Sequence, residues 1–337
     1  TDIAHLKTLG VNGLDVSDNK ITLALDQATA YLDAGITLAS GDAATVKMTF
    51  LQMVALDSKL AALANFGMNT VDLAENEIAL GLVGYRYLDS IGVRFAASDV
   101  LTLTDYKFNI VNLTVAQIAE LAEWGVTKID TNVAETEPAV FSLAQVKAFA
   151  AGGISFAADE LVHLSDSATA LSSLSASDVA DLATVGVSKV VADQALALTV
   201  SQFAAFAQHG VGIESVNGKV TVHDSGANFA ALAIDGIADL SVLGITTLDV
   251  TDDKAVLSLA AIKALSAVNA HFADGDRIVM GVSAASLAEM SGDDLAQAKA
   301  FGIAAITTAE SSLDLSVATA RTVKNAGLSL DSDFTAR

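Results

Sequence analysis

The sequence predicts an α/β fold: a right-handed solenoid with a parallel sheet on one side and helices on the other. Three observations support this. Glycines recur at alternating short and long intervals, helix-capping residues stand at a fixed distance before them, and the Asn-Gly pairs typical of tight hairpins occur only twice. Strands and helices therefore alternate in coils of fixed length, which favours parallel pairing between successive coils.

The stretch at 6–21 reads LKTLGVNGLDVSDNKI. It resembles a leucine-rich repeat, and we expect coils that are longer and poorer in leucine than the coils of that family.

The recurring glycine defines the repeat. It stands at Gly10, Gly35, Gly67, Gly92, Gly125, Gly153, Gly186, Gly210, Gly244, then Asn269 in its place, Gly302 and Gly327. Short and long intervals between these positions alternate without exception. One short and one long interval together make a repeat about 58 residues long, with two unequal coils of helix, glycine and strand. We expect residues 1–337 to be a single array of about six repeats whose ends lie within a longer array.

The clearest unit runs from Leu113 to Asp130. Thr114 is the predicted helix N-cap, and Gln117 completes a capping box three residues later. Apolar residues then recur at helical spacing up to Gly125, which can adopt the left-handed conformation at the helix end. The residues assigned to structural caps are Thr114, Gln117, Gly125, Gly153, Gly186, Gly210 and Gly244. In the longer coils a second strand-like run follows the first, as at 161–174 and 219–232.

Composition narrows the possible partners. Forty acidic and 18 basic residues give a net charge of −22, which repels nucleic acids and anionic lipid surfaces and leaves cationic partners such as Ca²⁺ possible. The absence of cysteine excludes disulfides, zinc–thiolate sites and thiol catalysis. No apolar run approaches the ~18 residues of a transmembrane helix. We therefore expect no nucleic-acid partner and no membrane span.

The long-coil segments at 163–187 and 222–249 resemble tandem repeats of very large alphaproteobacterial proteins that are secreted or lie at the cell surface. Such proteins are labelled adhesin-like or calcium-binding and are similar in style to type I-secreted surface proteins. The resemblance implies an extracellular or cell-surface location and a scaffold or adhesive role, with calcium-dependent folding as an option. The glycine–aspartate nonapeptide of calcium-binding β-rolls does not occur, so that mechanism is carried over to no residue.

Acidic residues recur at two positions of the repeat. Asp15, Asp72, Asp130 and Asp249 follow or end one set of strands, and Asp42, Asp99, Glu160 and Asp276 follow another. Within single turns, Asp15 with Asp18, or Asp249 with Asp252 and Asp253, could offer oxygens at calcium distances. The alternative is that each aspartate ends its strand and hydrogen-bonds the backbone of its own turn. Calcium is the one cofactor that the sequence leaves open.

Catalytic motifs are missing. The histidines His5, His163, His209, His223 and His271 have no spacing typical of zinc or catalytic sites, although His163 and His223 fall near corresponding strands and could approach each other. No nucleophile elbow, phosphate-binding loop or dinucleotide fingerprint occurs. We predict that the chain has no catalytic residues and is not an enzyme.

The predicted function is a structural or adhesive repeat segment of a secreted or cell-surface bacterial protein, serving as a spacer, surface-layer (S-layer) or adhesin scaffold. Partners would be a surface glycan, another protein or copies of the chain itself. Two alternatives remain: a glycan- or protein-binding module, and a calcium-dependent secreted enzyme segment. Tyr85, Arg86, Tyr87 and Tyr106 break the repeat, so an aromatic patch there would favour binding and a scatter would favour a spacer.

Overall fold

The structure is a computed structural model that describes residues 2–131, 137–308, 310, 312, 313, 315–331, 335 and 336. The chain divides into two compact units, Thr1–Val162 and His163–Arg337. Both units are built from short strands and helices of up to ten residues. In the described parts of the chain, no helix is both long and apolar enough to cross a membrane.

The first unit contains eight helices and eleven strands among its described residues. The helices are α1 (Asp2–Thr8), α2 (Leu25–Asp33), α3 (Phe50–Leu56), α4 (Ser58–Phe66), α5 (Leu82–Ser90), α6 (Lys107–Val111), α7 (Val115–Glu123) and α8 (Leu143–Ala151). The strands are β1 (Gly13–Leu14), β2 (Lys20–Ala24), β3 (Thr37–Leu38), β4 (Ala43–Met48), β5 (Met68–Leu73), β6 (Glu77–Leu80), β7 (Arg94–Phe95), β8 (Val100–Thr104), β9 (Val126–Asp130), β10 (Ala139–Phe141) and β11 (Ser155–Phe156).

The second unit continues the same order of elements, beginning with β12 at its boundary. Its helices are α9 (Ala168–Ser172), α10 (Ala176–Val185), α11 (Val200–His209), α12 (Gly226–Ala231), α13 (Ile234–Val242), α14 (Leu259–Ala267), α15 (Ala284–Glu289), α16 (Gly292–Phe301) and α17 (Val317–Asn325). Its strands are β12 (Val162–Asp166), β13 (Val187–Ala192), β14 (Leu196–Leu198), β15 (Gly212–Ser215), β16 (Val220–Asp224), β17 (Thr247–Val250), β18 (Lys254–Leu257), β19 (His271–Phe272), β20 (Arg277–Gly281), β21 (Ala305–Thr307), β22 (Ser312–Leu313), β23 (Ser329–Leu330) and β24 (Thr335–Ala336).

Strand pairing within each unit is parallel. The first unit has the sheets β2-β4-β5-β7 and β6-β8-β9-β11 and the pair β1-β3. The second unit has the sheets β14-β16-β17-β19 and β18-β20-β21-β23 and the pair β22-β24. Strands β12, β13 and β15 lie in that order in a further sheet, in which β13 and β15 pair in parallel. The prediction of an α/β fold with parallel sheets is confirmed.

One coil is the stretch between a strand residue and its partner in the next strand. It runs from Lys20 to its partner Ala43, for example, and from Thr45 to its partner Thr70. The long glycine interval contains two strands and two helices, as with β3, β4, α3 and α4 between Gly35 and Gly67. The second strand-like run of the long coils is therefore a strand followed by a short helix, because a serine such as Ser167 or Ser225 caps a helix directly after the strand.

Local capping fixes the helix boundaries. Thr114 Oγ1 accepts the N–H of Gln117, and the Gln117 side chain accepts the N–H of Thr114. The same N-cap position is held in other helices by Ser142, Ser175, Thr199, Ser258, Ser291 and Ser316. At the other end, the backbone has positive φ at Gly125, Gly153, Gly186, Gly210 and Gly244, and at Asn269. Both helix ends are thus set by short-range contacts.

The core is built mainly from aliphatic side chains. In α7 the buried residues are Ile118 and Leu121, one turn apart, and in the adjoining β9 they are Val126 and Ile129. Aromatic rings enter at few points, such as the cluster of Phe141, Phe149 and Phe156, whose ring centroids lie 5.1 to 5.4 Å apart. The helices are therefore held by a narrow apolar stripe against the strands, as amphipathic helices require.

Gln202 links two coils of the second unit. It belongs to the capping box of α11, and its Nε2 also donates to the carbonyls of Ser172 and Leu174, at 2.7 and 2.6 Å, in the link between α9 and α10. Gln202 is buried, so these carbonyls would lose this donor without gaining water if its amide were removed. Gln145 in the first unit makes the equivalent bonds to Val111 and Leu113.

We expect Gln202→Leu to lower the free energy of unfolding by about 2 kcal/mol more than Gln117→Leu, because only the first change removes a buried donor to two carbonyls of another coil. Gln117 is the matched control, since its capping box has the same geometry at another helix start. Urea denaturation followed by circular dichroism measures both losses. Equal losses would show that the bonds between coils contribute nothing beyond the cap.

Candidate functional site

The first acidic column contacts the neighbouring strand where its partners are visible. Asp72 of β5 lies opposite Lys47 of β4, with Lys47 Nζ 3.5 Å from its carboxylate. Asp249 of β17 lies opposite His223 of β16, whose Nδ1 is 2.8 Å from Asp249 Oδ2. These two aspartates therefore interact across strands, which differs from the expected bond to their own turn, because parallel register places a polar side chain directly beside each of them.

The second acidic column has one repeated role. Carboxylates of Asp42, Asp99, Glu160 and Asp276 accept the backbone N–H groups of Val16, Leu73, Thr131 and Val250, at 2.7 to 3.4 Å. Each donor directly follows an aspartate of the first column, one coil earlier in the chain. Glu160 also accepts the Thr131 hydroxyl at 2.6 Å. The column thus binds the end of a strand in the preceding coil.

A third set of carboxylates caps helices in the preceding coil. Their oxygens accept the N–H of the first helical residue, where an α-helix leaves its amides unpaired and the helix dipole favours negative charge. The pairs are Glu75 with Phe50 of α3, Asp105 with Leu82 of α5, Asp193 with Ala168 of α9, Asp224 with Val200 of α11, Asp252 with Gly226 of α12, and Glu310 with Ala284 of α15. We call the second and third sets together the inter-coil carboxylates.

The helix-capping carboxylates were not predicted from the sequence. They stand 23 to 26 residues after the amides that they accept, which is the length of one coil. That constant separation was the available signal. The pattern is found by searching for an acidic residue one coil length after each helix start. It is missed when the sequence is aligned only by the longer repeat of two coils.

The inter-coil carboxylates differ in their proton affinity. Burial acts to raise the pKa of Asp224, but hydrogen bonds from the Asn228 side chain and from the N–H groups of Val200 and Ser225 outweigh it, so the pKa is lowered. Asp105 shows the same balance, also with a lowered pKa. These carboxylates are held in the charged form by their donors.

Asp99 behaves in the opposite way. Burial raises its pKa, and the charge of Asp72 adds to this, against hydrogen bonds from the N–H groups of Leu73 and Ala96. The residue is only 8% exposed, and its Oδ1 is a buried oxygen without a hydrogen-bond partner among the described residues. Burial likewise raises the pKa of Asp276, with help from the charges of Asp249 and Asp253. Burial thus makes the charged form of these two carboxylates less favourable than it is in water.

The calcium candidates lie apart or have protein partners. Asp15 directly follows β1, and Asp18 lies in the turn before β2. Asp249 pairs with His223, Asp252 caps α12, and Asp253 has a positive φ of 54° in the turn before β18. Over the described ranges, no group of three or more His, Asp or Glu side chains is arranged to hold a metal ion. The structure gives these five residues no common focus, and calcium binding stays a prediction.

The histidines do not converge either. His163 and His223 lie on β12 and β16, which belong to different sheets. Burial lowers the pKa of His163, with a contribution from the positive charge of Lys189. His209 ends α11 and His271 begins β19. The structure therefore gives no support to an approach of His163 to His223, because these equivalent strands of successive repeats occupy separate sheets.

The residues that break the repeat separate into buried and exposed ones. Tyr85 is buried and stacks on Trp124 at a centroid distance of 5.7 Å, while Trp124 Nε1 donates to Asp89 at 3.3 Å. Tyr87 and Tyr106 are exposed, and Phe108 is 76% exposed nearby on α6. Tyr87 lines a cavity between α3 and α5, and Phe108 lines a groove between α5 and α6, so the exposed rings on these helices face different hollows.

The second unit contains a large open groove. It has a volume of about 980 Å³ and lies where β18, β20 and β21 end and where α14 and α15 begin. Hydroxyls line it from Ser258, Ser283, Ser286, Thr307 and Thr308, and carboxylates from Glu289, Asp294 and Glu310. Ligands of parallel α/β sheets commonly bind at the carboxyl ends of strands.

Two of the three carboxylates in this groove, those of Asp294 and Glu310, already interact with other groups of the protein. Asp294 pairs with Lys263, and hydrogen bonds from Lys263 and Ser291 lower the pKa of Asp294 to about 2. Glu310 caps α15. The equivalent groove of the first unit, at α5, α6 and α7, has a volume of about 350 Å³, with Phe108 and Asn109 on α6. The groove therefore recurs at one position of the repeat while its lining changes.

Comparison with models of known protein families and with curated proteins found no match for the chain.

We expect Asp224→Asn to lower the melting temperature at pH 7 and Asp99→Asn to raise it or leave it unchanged. Asp224 has a lowered folded-state pKa, so its stabilisation is present above the ordinary pKa of about 4 and is lost as pH falls through the folded value. Asp99 has a raised folded-state pKa, so its favourable contribution is complete only below about pH 4 and disappears as pH rises through the folded value.

Calorimetric melts of both variants and the unchanged protein between pH 3 and pH 7 provide the measurement. The melting temperature of the unchanged protein minus that of Asp224→Asn should fall towards the acid end. The melting temperature of the unchanged protein minus that of Asp99→Asn should instead rise. Parallel curves for the two variants would contradict these assignments.

Proposed function

We propose that the chain is a non-enzymatic repeat scaffold, a right-handed solenoid whose successive coils stack through parallel strands with helices on the other side. The observation that carries this proposal is the recurrence of one contact, in which a carboxylate accepts a backbone amide of the preceding coil. A catalytic site needs a single convergent arrangement, whereas this contact returns at equivalent positions in many coils. Right-handed strand–helix–strand crossovers are the general rule for parallel sheets.

The energetics fit a scaffold assembled coil by coil. Each coil adds a few strand hydrogen bonds, a strip of aliphatic packing and one or two charge-assisted hydrogen bonds. A hydrogen bond to a charged group contributes about 1.5–3 kcal/mol. Because every coil contacts mainly its neighbours, stability should grow with the number of repeats. Such a chain can be lengthened without redesign, which suits a spacer, surface-layer or adhesin segment.

The location follows from the resemblance of the long coils to repeats of large secreted and cell-surface bacterial proteins. We propose a secreted or cell-surface protein, with a surface glycan, a protein or copies of the chain as partners. The lack of cysteine is compatible with export without oxidative folding. The charge of −22 opposes binding to nucleic acids.

A binding module is the second candidate, and the groove at α14 and α15 favours it. Its volume of about 980 Å³ is within the size of small-molecule sites, and its five hydroxyls suit hydrogen bonding to a neutral, hydroxyl-rich ligand such as a glycan. Among its described lining residues there is no aromatic ring on which a sugar could stack. The scaffold is therefore the better-supported proposal for the chain as a whole.

We expect deletion of residues 196–254, which joins Ala195 to Ala255 and removes one whole repeat, to leave a folded protein. The denaturant m value should fall in proportion to length, because less surface is exposed on unfolding. Small-angle X-ray scattering should give a smaller maximum dimension.

Deletion of residues 196–225, about half a repeat, is the matched control for that experiment. It brings β13 directly before α12 and removes the strands that should follow, so we expect the cooperative unfolding transition of the second unit to be lost. If the whole-repeat deletion unfolds the protein as severely as the half-repeat deletion, the scaffold proposal is wrong.

We expect millimolar Ca²⁺ to leave the thermal midpoint unchanged relative to excess chelator, because Asp249 and Asp252 already have protein partners. A ligand that binds only the folded state stabilises it by RT ln(1 + [L]/Kd), so a real site would raise the midpoint. A rise that is lost in Asp252→Asn and Asp253→Asn would instead assign the turn at 249–253 as a calcium site.

A further inference from the structure

The exposed aromatic side chains of the described residues are concentrated in one place. Among the described residues, fifteen large apolar side chains are exposed, and the three aromatic ones among them, Tyr87, Tyr106 and Phe108, all belong to α5 or the start of α6. Leu51 and Val54, about one turn apart on α3, and Val83 of α5 are also exposed. We call Leu51, Val54, Val83, Tyr87, Tyr106 and Phe108 the α5 face. A contiguous apolar surface of this kind marks an interaction site in soluble proteins.

The α5 face is continuous across three helices. A cavity of about 220 Å³ between α3 and α5 is lined by Val54 and Tyr87. A groove of about 350 Å³ on the other side of α5 is lined by Val83 and Phe108. Val83 and Tyr87 are one helical turn apart, so they form a ridge on α5 with a hollow on each side.

This shape is complementary to itself. When two such faces meet around a twofold axis, the ridge of each α5 can enter the hollow beside the other α5, as helix ridges pack into grooves. A twofold interface requires the same patch on both partners, and a surface that carries a ridge and a hollow side by side satisfies this requirement. A flat apolar patch would give no such preference for a second copy.

The area is sufficient for a dimer. The exposed fractions of the six side chains correspond to roughly 700 Å² of apolar surface, given that large aromatic side chains bury about 150–250 Å² each. Each partner of a standard protein interface contributes about 800 Å². The α5 face with its polar rim therefore reaches the size of a specific interface.

Charge also selects this face for contact between copies. The segments 50–59, 82–90 and 105–112 carry three basic residues, Lys59, Arg86 and Lys107, and three acidic residues, Asp57, Asp89 and Asp105. The whole chain carries a net charge of −22, so two copies repel each other over most of their surface. The segments that carry the α5 face are neutral overall, so the electrostatic repulsion between two copies is lowest when they approach through this face.

We propose that the α5 face is the interface of a homodimer, in which a second copy of the chain packs its own α5 face against it. The dimer strengthens as salt rises, because salt screens the repulsion between two strongly acidic chains while the contact itself is apolar. An oppositely charged partner would show the reverse dependence. This inference is independent of the scaffold proposal, since a monomeric protein would contradict it without affecting the result of the repeat deletion.

Sedimentation equilibrium of the full chain over a concentration series, in 0.15 M and 1 M NaCl, tests the proposal. We expect a monomer–dimer equilibrium that is tighter at the higher salt concentration. Val83→Asp should weaken the dimer at least tenfold in both salts, because it places a carboxylate in the centre of the apolar contact.

Val242→Asp is the matched control. Val242 is 79% exposed on α13 and Val83 is 81% exposed, so both substitutions add one charge at an exposed helix position. We expect Val242→Asp to leave the dimer unchanged, and both variants to share the melting curve of the original protein at dilutions where all three are monomeric, since association itself would raise the midpoint. A monomer at every concentration in both salts, or equal weakening by the two variants, would overturn the proposal.

Discussion

Acceptance of a backbone amide by a carboxylate one coil further along the chain is the interaction on which the remaining structure depends. Short parallel strands end after a few residues and leave amides without a strand partner, and each helix leaves its first amides unpaired. Asp99, acting on the N–H of Leu73, and Asp224, acting on that of Val200, show the two forms of the same solution. The acceptor comes from the next coil, so each bond also fixes the distance between coils.

These hydrogen bonds account for part of the excess of acidic over basic residues. The sequence has more than twice as many acidic as basic residues, and much of that excess recurs at fixed positions of the repeat. Where several donors surround the carboxylate, as at Asp224, the charged form is favoured and the pKa falls. Where burial leaves an oxygen without a donor among the described residues, as at Asp99, the pKa rises. The same interaction therefore stabilises one coil strongly and another only in part.

Because the coils are similar, the residues that differ between them determine the character of their surfaces. Among the exposed apolar side chains, α5 contributes Val83 and Tyr87 and its neighbour α6 contributes Phe108. The groove beside α5 recurs beside α14, where small residues such as Ala260 and Gly281 leave it wider. A repeat fold supplies the position of a groove, and substitutions in single repeats decide whether it is apolar or polar. Equivalent positions can thus present apolar side chains in one unit and hydroxyls in the other.

The sequence by itself determined the boundaries of the helices that end at the recurring glycines, and the parallel α/β class, because caps such as Thr114 with Gln117 and the turn at Gly125 act over a few residues. It did not predict the short helices that follow strands in the long coils, such as α9. It also placed the acidic columns. Only the tertiary structure decided what those acids contact: Asp276 reaches Val250, and Asp252 reaches Gly226, across one coil of 26 residues. It likewise decided that Tyr85 is buried while Tyr87 is exposed. The physical reason is that these contacts join residues far apart in sequence, and their partners are set by strand register and by stacking.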